Sequence, residues 1–126
     1  MMMKSTKPYL FEAMYRWMVD SNCTPLVKAR TDILGVEVPL GYAVDNEIVL
    51  DIAIDSVENF NITEHLITFN AVFEDKVCSI RLPMIAVLSI QTAEEGVGME
   101  FEDEDDNGGS TEDQERSDGK PDLRVL

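Results

Sequence analysis

Apolar positions along this chain change their spacing from helical to alternating near residue 25. Over residues 7–22 the pattern predicts a helix. Pro8 suits its first turn, where the missing N–H would be unpaired anyway. Glu12, Arg16 and Asp20 recur every four residues as one polar stripe, with the acid before the base in the favourable order. Nearly everything else is apolar: Tyr9, Leu10, Phe11, Ala13, Met14, Tyr15, Trp17, Met18 and Val19. That arc is wider than a helix needs to lie on one core. One face can cover a sheet, and the other calls for a second partner. A self-association helix is the economical expectation, with Phe11, Met14, Tyr15 and Met18 as contacts. The alternative is a helix sunk deep in its own domain. Asn22 and Pro25 close the segment.

From Leu26 the signals are those of strands. Residues 26–31, 36–40 and 47–54 are short candidates, with Asp45-Asn46 as a turn before the third. Leu66 to Phe73 alternates cleanly, placing Ile67, Phe69, Ala71 and Phe73 on one side. Glu74-Asp75 is a tight reversal, and Val77 to Leu82 returns with Cys78, Ile80 and Leu82 on one face. Pro83 breaks the run. Ile85 to Thr92 is a further strand, a loop at residues 94–98 follows, and residues 99–101 pair back. Short strands at this spacing, with no internal repeat and no βαβ rhythm, predict a small sandwich or partly open barrel with a helix on it.

Composition divides the chain at Phe101. Residues 102–120 are rich in Asp, Glu, Gly and Ser, and hold neither an aromatic nor an aliphatic side chain. Such a segment cannot bury enough area to offset its ordering entropy, so it reads as an acidic linker with an r.m.s. span on the order of 25 Å. Residues 121–126 then return to apolar character around one base, as Pro-Asp-Leu-Arg-Val-Leu. No core lies within sequence reach of them. The division is therefore a domain over residues 1–101, a linker over 102–120 and a tethered docking peptide over 121–126.

The formal net charge of −15 opposes a phosphate-backbone ligand and an anionic membrane surface, since both require clustered Lys and Arg. Cys23 and Cys78 have no metal-like spacing and are expected as free, small hydrophobes. No apolar run approaches a membrane span, and Met1-Met2-Met3-Lys4 lacks the apolar stretch of a signal peptide. A cytoplasmic location is expected.

Catalytic constellations are missing from the pattern. There is no phosphate loop, no Cys-x-x-Cys and no nucleophile elbow. His65 has no activating partner in sequence, Glu94-Glu95 reads as a solvated hairpin tip, and residues 103–106 lack the spacing of a calcium loop. The expectation is a protein without enzyme activity, cofactor or metal. What remains is a binding surface on the sheet. Phe69-Asn70-Ala71-Val72-Phe73, near Asp55-Ser56-Val57-Glu58-Asn59, could form a groove for an extended peptide, with main-chain bonds giving affinity and pockets giving specificity. Ordinary core alternation is the alternative, and composition alone favours it over a groove.

Several segments, in order and spacing, resemble one family. They are Lys7-Pro8-Tyr9-Leu10-Phe11-Glu12-Ala13-Met14-Tyr15-Arg16-Trp17, Thr24-Pro25, Gly35-Val36-Glu37-Val38-Pro39, Ile48-Val49-Leu50-Asp51-Ile52-Ala53, Phe69-Asn70-Ala71-Val72-Phe73, and Pro83-Met84-Ile85-Ala86-Val87-Leu88-Ser89-Ile90. Together they look like the stringent starvation protein B family, adaptors of the ClpXP protease. The resemblance covers about residues 7–101 and, separately, the last six. It implies an Sm-like, partly open β barrel behind a helix that pairs across a two-fold axis. It also implies a groove for the ssrA degradation tag of stalled nascent chains. The residues carried over to that groove are Ser56, Val57, Asn59, Phe69, Asn70, Ala71, Val72, Phe73, Ala86 and Ile90. The C-terminal peptide of the family docks on the N-terminal domain of the unfoldase ClpX. Leu123, Arg124 and Val125 match it, with Leu126 at the second Val position. An Sm-like RNA- or ribosome-associated protein is the alternative, opposed by the acidic charge.

Overall fold

The computed structural model describes residues 3–101. The linker over 102–120 and the docking peptide over 121–126 lie outside the described residues. Helix α1 spans Lys7–Asp20 and carries Pro8 in its first turn. It ends where Asn22 takes a left-handed conformation, φ 62°, and Cys23 N–H reaches back to the Met18 carbonyl at 2.9 Å. Asn tolerates that conformation through its short polar side chain, so the stop signal is local.

The strands are β1 (Pro25–Arg30), β2 (Glu47–Asp51), β3 (Val57–Ile62), β4 (Leu66–Phe73), β5 (Lys76–Pro83), β6 (Val87–Thr92) and β7 (Gly98–Glu100). All the pairings are antiparallel. One sheet has the order β2-β1-β6-β7 and the other β3-β4-β5. The two sheets do not join into one ladder, so the domain is mainly β, with one N-terminal helix and a partly open barrel. No helix among the described residues is long and apolar enough to cross a membrane.

The core lies between the sheets under the helix. Val27 and Ala29 of β1, Ile48 and Leu50 of β2, Ile67 and Phe69 of β4, Ile80 and Leu82 of β5, and Val87 and Ile90 of β6 are all buried. The sets on β1, β2, β4 and β5 alternate along their strands, as a sheet with one covered face requires, whereas Val87 and Ile90 of β6 are three apart because the register with β1 shifts between them. Phe11 and Met18, two helical turns apart, project from α1 into the same core.

Several boundaries differ from the sequence pattern. Residues 36–40 form no strand; only Glu37 pairs, with Arg81. Pro39 has no N–H to extend that pairing, and a 3-10 turn begins at Leu40. Residues 84–86 are a 3-10 turn rather than the start of β6. Strand β3 was hidden in sequence because its alternation is interrupted. Its register with β4 shifts between Glu58 and Asn61, and Asn59 has φ 57°. This is a β-bulge, which costs the strand its period of two.

The acidic tip at Glu94 has a structural task that the pattern concealed. Its carboxylate accepts hydrogen bonds from the Thr24 backbone N–H at 3.0 Å and the Thr24 hydroxyl at 2.8 Å. Those donors, the backbone N–H first, hold the Glu94 carboxyl below the usual carboxylate range. A lowered folded-state pKa adds stability above the unfolded pKa, and that stability is lost as pH falls through the folded value. Glu94→Gln should therefore melt below wild type at neutral pH, and the two melting curves should converge as the carboxylates protonate. A gap that persists unchanged at acid pH would show that the carboxylate charge is not the stabilising element.

Candidate functional site

Strand β4 runs from a closed part of the barrel into an open one. Ile67 and Phe69 are sealed in the core, whereas Ala71 and Phe73, on the same face, are only half-buried. Register places Ala71 between Val57 of β3 and Cys78 of β5, and both neighbours are half-buried and packed on the core margin. Glu74 and Asp75, with φ of 51° and 68°, form the two-residue hairpin turn whose twist suits the strands. The Tyr42 ring closes the end of the strip, 5.1 Å from that of Phe73. The Tyr42 hydroxyl hydrogen-bonds Glu74, and that bond, ahead of burial, raises the phenol pKa. The result is an apolar strip of Val57, Ala71, Phe73, Cys78 and Tyr42, with its smallest side chain at the centre. An extended segment laid there would meet an apolar floor, with Glu74 and Lys76 at the turn end of the strip.

The opposite face of the same sheet is polar. Ser79 donates to Asn70 Oδ1 at 3.2 Å, and a cleft of about 230 Å³ is lined by Glu37, Asn59, Thr68, Asn70, Ser79 and Arg81, with Phe69 and Ile80 also reaching its wall. Val72 also lies on this face and is exposed.

The residues expected to bind peptide therefore divide three ways. Val57, Ala71 and Phe73 meet in the apolar strip, with Ser56 exposed in the 3-10 turn that leads into β3. Asn59, Asn70 and Val72 belong to the outer face, because successive strand residues point oppositely. Phe69, Ala86 and Ile90 are 3%, 0% and 0% exposed and sit within the core, which corrects their assignment to a peptide surface. Cys78 and Tyr42 were missed. Cys78 was legible, since the Glu74-Asp75 turn sets it opposite Ala71. Tyr42 arrives from a distant loop and left no local signal.

The helix requires a similar correction. Phe11 and Met18 are buried in the core of the domain and cannot form a surface contact. Met14 and Tyr15 are half-buried beside them. The Tyr15 ring stacks on Phe60 at 4.8 Å, and burial raises its hydroxyl pKa. The apolar arc instead reaches solvent at Tyr9, Leu10 and Trp17, which are 58%, 42% and 50% exposed. Leu10, Ala13 and Trp17 follow helical spacing and form one outer stripe. Leu123, Arg124, Val125 and Leu126 lie outside the described residues. Among the described residues, no cluster of His, Cys, Asp and Glu is placed to hold a metal ion, and Cys23 and Cys78 are free thiols.

Fold and site define a helix-fronted, partly open β barrel with a half-covered apolar strip where its sheets part. The chain belongs to the stringent starvation protein B family, whose model matches residues 5–123. A relative, the stringent starvation protein B homolog of Haemophilus influenzae, is 38% identical over 99 residues. That alignment takes in 79% of this chain and 66% of the relative, slightly under two thirds of its length.

Proposed function

We propose that the protein is a non-catalytic cytoplasmic adaptor. It binds ssrA-tagged products of stalled translation and tethers them to ClpX, the unfoldase of the ClpXP protease. Family membership supports this reading, and the observation that carries it is the half-covered strip around Ala71. A strip of half-buried apolar side chains with a small central residue suits an extended peptide and offers no reacting group. Residues 123–126 would dock on the ClpX N-terminal domain, linked to the barrel through the acidic segment. Fluorescence anisotropy of a labelled ssrA tag peptide, alongside capture of ClpX by the full chain, tests both halves. Loss of either result would end the adaptor reading.

The reading includes a homodimer built on the outer stripe of α1. Two copies present two tails, so a second docking event on a ring-shaped unfoldase occurs at a concentration set by the linker and adds avidity without new contacts. Trp17→Asp should convert a dimer to a monomer in sedimentation at micromolar concentration. Its melting should change little beyond the loss of dimer linkage, because the side chain is half-exposed. Met18→Asp, by contrast, would bury an unpaired charge and should unfold the domain. A wild-type chain that sediments strictly as monomer would remove the dimer from the reading.

A further inference from the structure

Lysine is seldom sealed inside a domain, yet Lys7 is only 5% exposed. It is the first residue of α1, where the helix dipole already repels a cation. Its Nζ lies 5.7 Å from the centre of the Phe101 ring. That ring in turn lies 6.4 Å from the ring of Phe11 in the core. The face of an aromatic ring attracts an ammonium, but by less than the loss of its hydration costs. A cation so placed calls for a carboxylate as well as the ring. The first turn of α1 holds no acidic side chain.

The chain itself brings carboxylates to this point. Phe101 donates its N–H to the Leu88 carbonyl at 2.8 Å. The next five residues are Glu102, Asp103, Glu104, Asp105 and Asp106. Successive Cα atoms are about 3.8 Å apart, so covalent connection alone keeps the first of these acids near the Lys7 ammonium. A second cation lies in the direction of travel. Strand β7 runs antiparallel to β6, with Gly98 opposite Gln91 and Glu100 opposite Ser89, so the chain leaves Phe101 toward the level of Val87. On the other side of β6, Val87 is opposite Ala29 of β1. Ala29 faces the core, so Arg30, next along β1, faces the other way. Arg30 holds Asp32 through Nε and Nη2, each at 3.0 Å, and a guanidinium fork has donors for more than one anion.

We propose that Glu102 to Asp105 form an acidic strap that the barrel binds between Lys7 and Arg30, so that the free linker begins only beyond it. Charge complementarity and chain continuity name this occupant. Consecutive side chains of an extended strap point oppositely. Alternate acids therefore meet Lys7 beneath the helix and Arg30 on the outer face of the sheet. Covalent attachment gives the strap a high effective concentration over the acids of any other molecule. The free run is then residues 106–120, with an r.m.s. span of about 20 Å. The strap needs neither tag nor unfoldase, so it stands or falls apart from the adaptor reading.

NMR relaxation of the backbone amides in the full chain tests the strap. Residues 102–105 should have order parameters near the value of about 0.85 typical of a rigid backbone, with residues 106–120 below about 0.6. Neutralising the strap by Glu102→Gln, Asp103→Asn, Glu104→Gln and Asp105→Asn together should bring its amides below about 0.6 as well. The matched distal set, Glu112→Gln, Asp113→Asn, Glu115→Gln and Asp118→Asn, should leave the strap ordered. Lys7→Met keeps an apolar stem over Phe101 and should free the strap. The acid variants leave every barrel residue in place, and they decide the matter should Lys7→Met fail to fold. Amides of 102–105 as mobile in the wild-type chain as those of 106–120 overturn the proposal. Order that survives neutralisation of the four acids also overturns it, because an uncharged contact would then hold the segment. So does order that appears only as protein concentration rises, which would place a second copy against the acids.

Discussion

Deleting residues 121–126 should abolish capture of ClpX while leaving dimerisation, melting temperature and tag affinity at wild-type values. The separation follows from composition. Residues 102–120 carry no aromatic or aliphatic side chain that could couple the terminal peptide to the barrel. Among the described residues, the buried hydrophobic core runs from Phe11 to Ile90. Leu123→Ala and Val125→Ala should be the costliest single changes, because with Leu126 they are the aliphatic anchors of the peptide. Arg124→Ala should weaken docking and flatten its dependence on salt, which screens exposed charge over about 10 Å at 0.1 M. Fusing residues 118–126 to an unrelated tag-binding domain should restore delivery of tagged protein. A fusion that fails where the intact chain succeeds would mean that the barrel itself touches the unfoldase.

The sequence pattern was most legible where local periodicity and burial coincide. Helix α1 and the β4–β5 hairpin followed from Pro8, the Glu12-Arg16-Asp20 stripe, the clean alternation of Leu66 to Phe73 and the Glu74-Asp75 turn. The pattern failed where a tertiary contact overrides periodicity. The bulge at Asn59 removed the alternation that would have revealed β3, and Pro39 ended a strand that residues 36–40 suggested. On the helix, a wide apolar arc could not say which side faces inward. Phe11 and Met18 turned out to meet the core, leaving Trp17 and Leu10 outside. On β4 the alternation put Ile67, Phe69, Ala71 and Phe73 on one face, but alternation alone could not find the point between Phe69 and Ala71 where full burial ends. That boundary depends on how far two separate sheets overlap, a property of no single segment.

Because that boundary falls at Ala71, this residue offers the sharpest separation of binding from folding. Ala71→Gln adds four heavy atoms at the centre of the strip, between Val57 and Cys78. The site is half-buried and open toward solvent, so the amide can reach water and the fold can accommodate it. A peptide that must lie flat on the strip cannot accommodate it in the same way. Tag affinity should fall at least tenfold, which corresponds to about 1.4 kcal/mol, with cooperative melting retained. Two comparisons sharpen the test. Val72→Gln lies one residue away on the outer face, 64% exposed, and should leave tag binding unchanged. Phe69→Ala opens the core and should cost about 3–5 kcal/mol of stability, so its loss of binding would carry no information about contact. If Ala71→Gln binds tag as well as wild type while remaining folded, the strip is not the groove. If it unfolds, the sheets close over Ala71 in solution and the peptide surface must lie elsewhere.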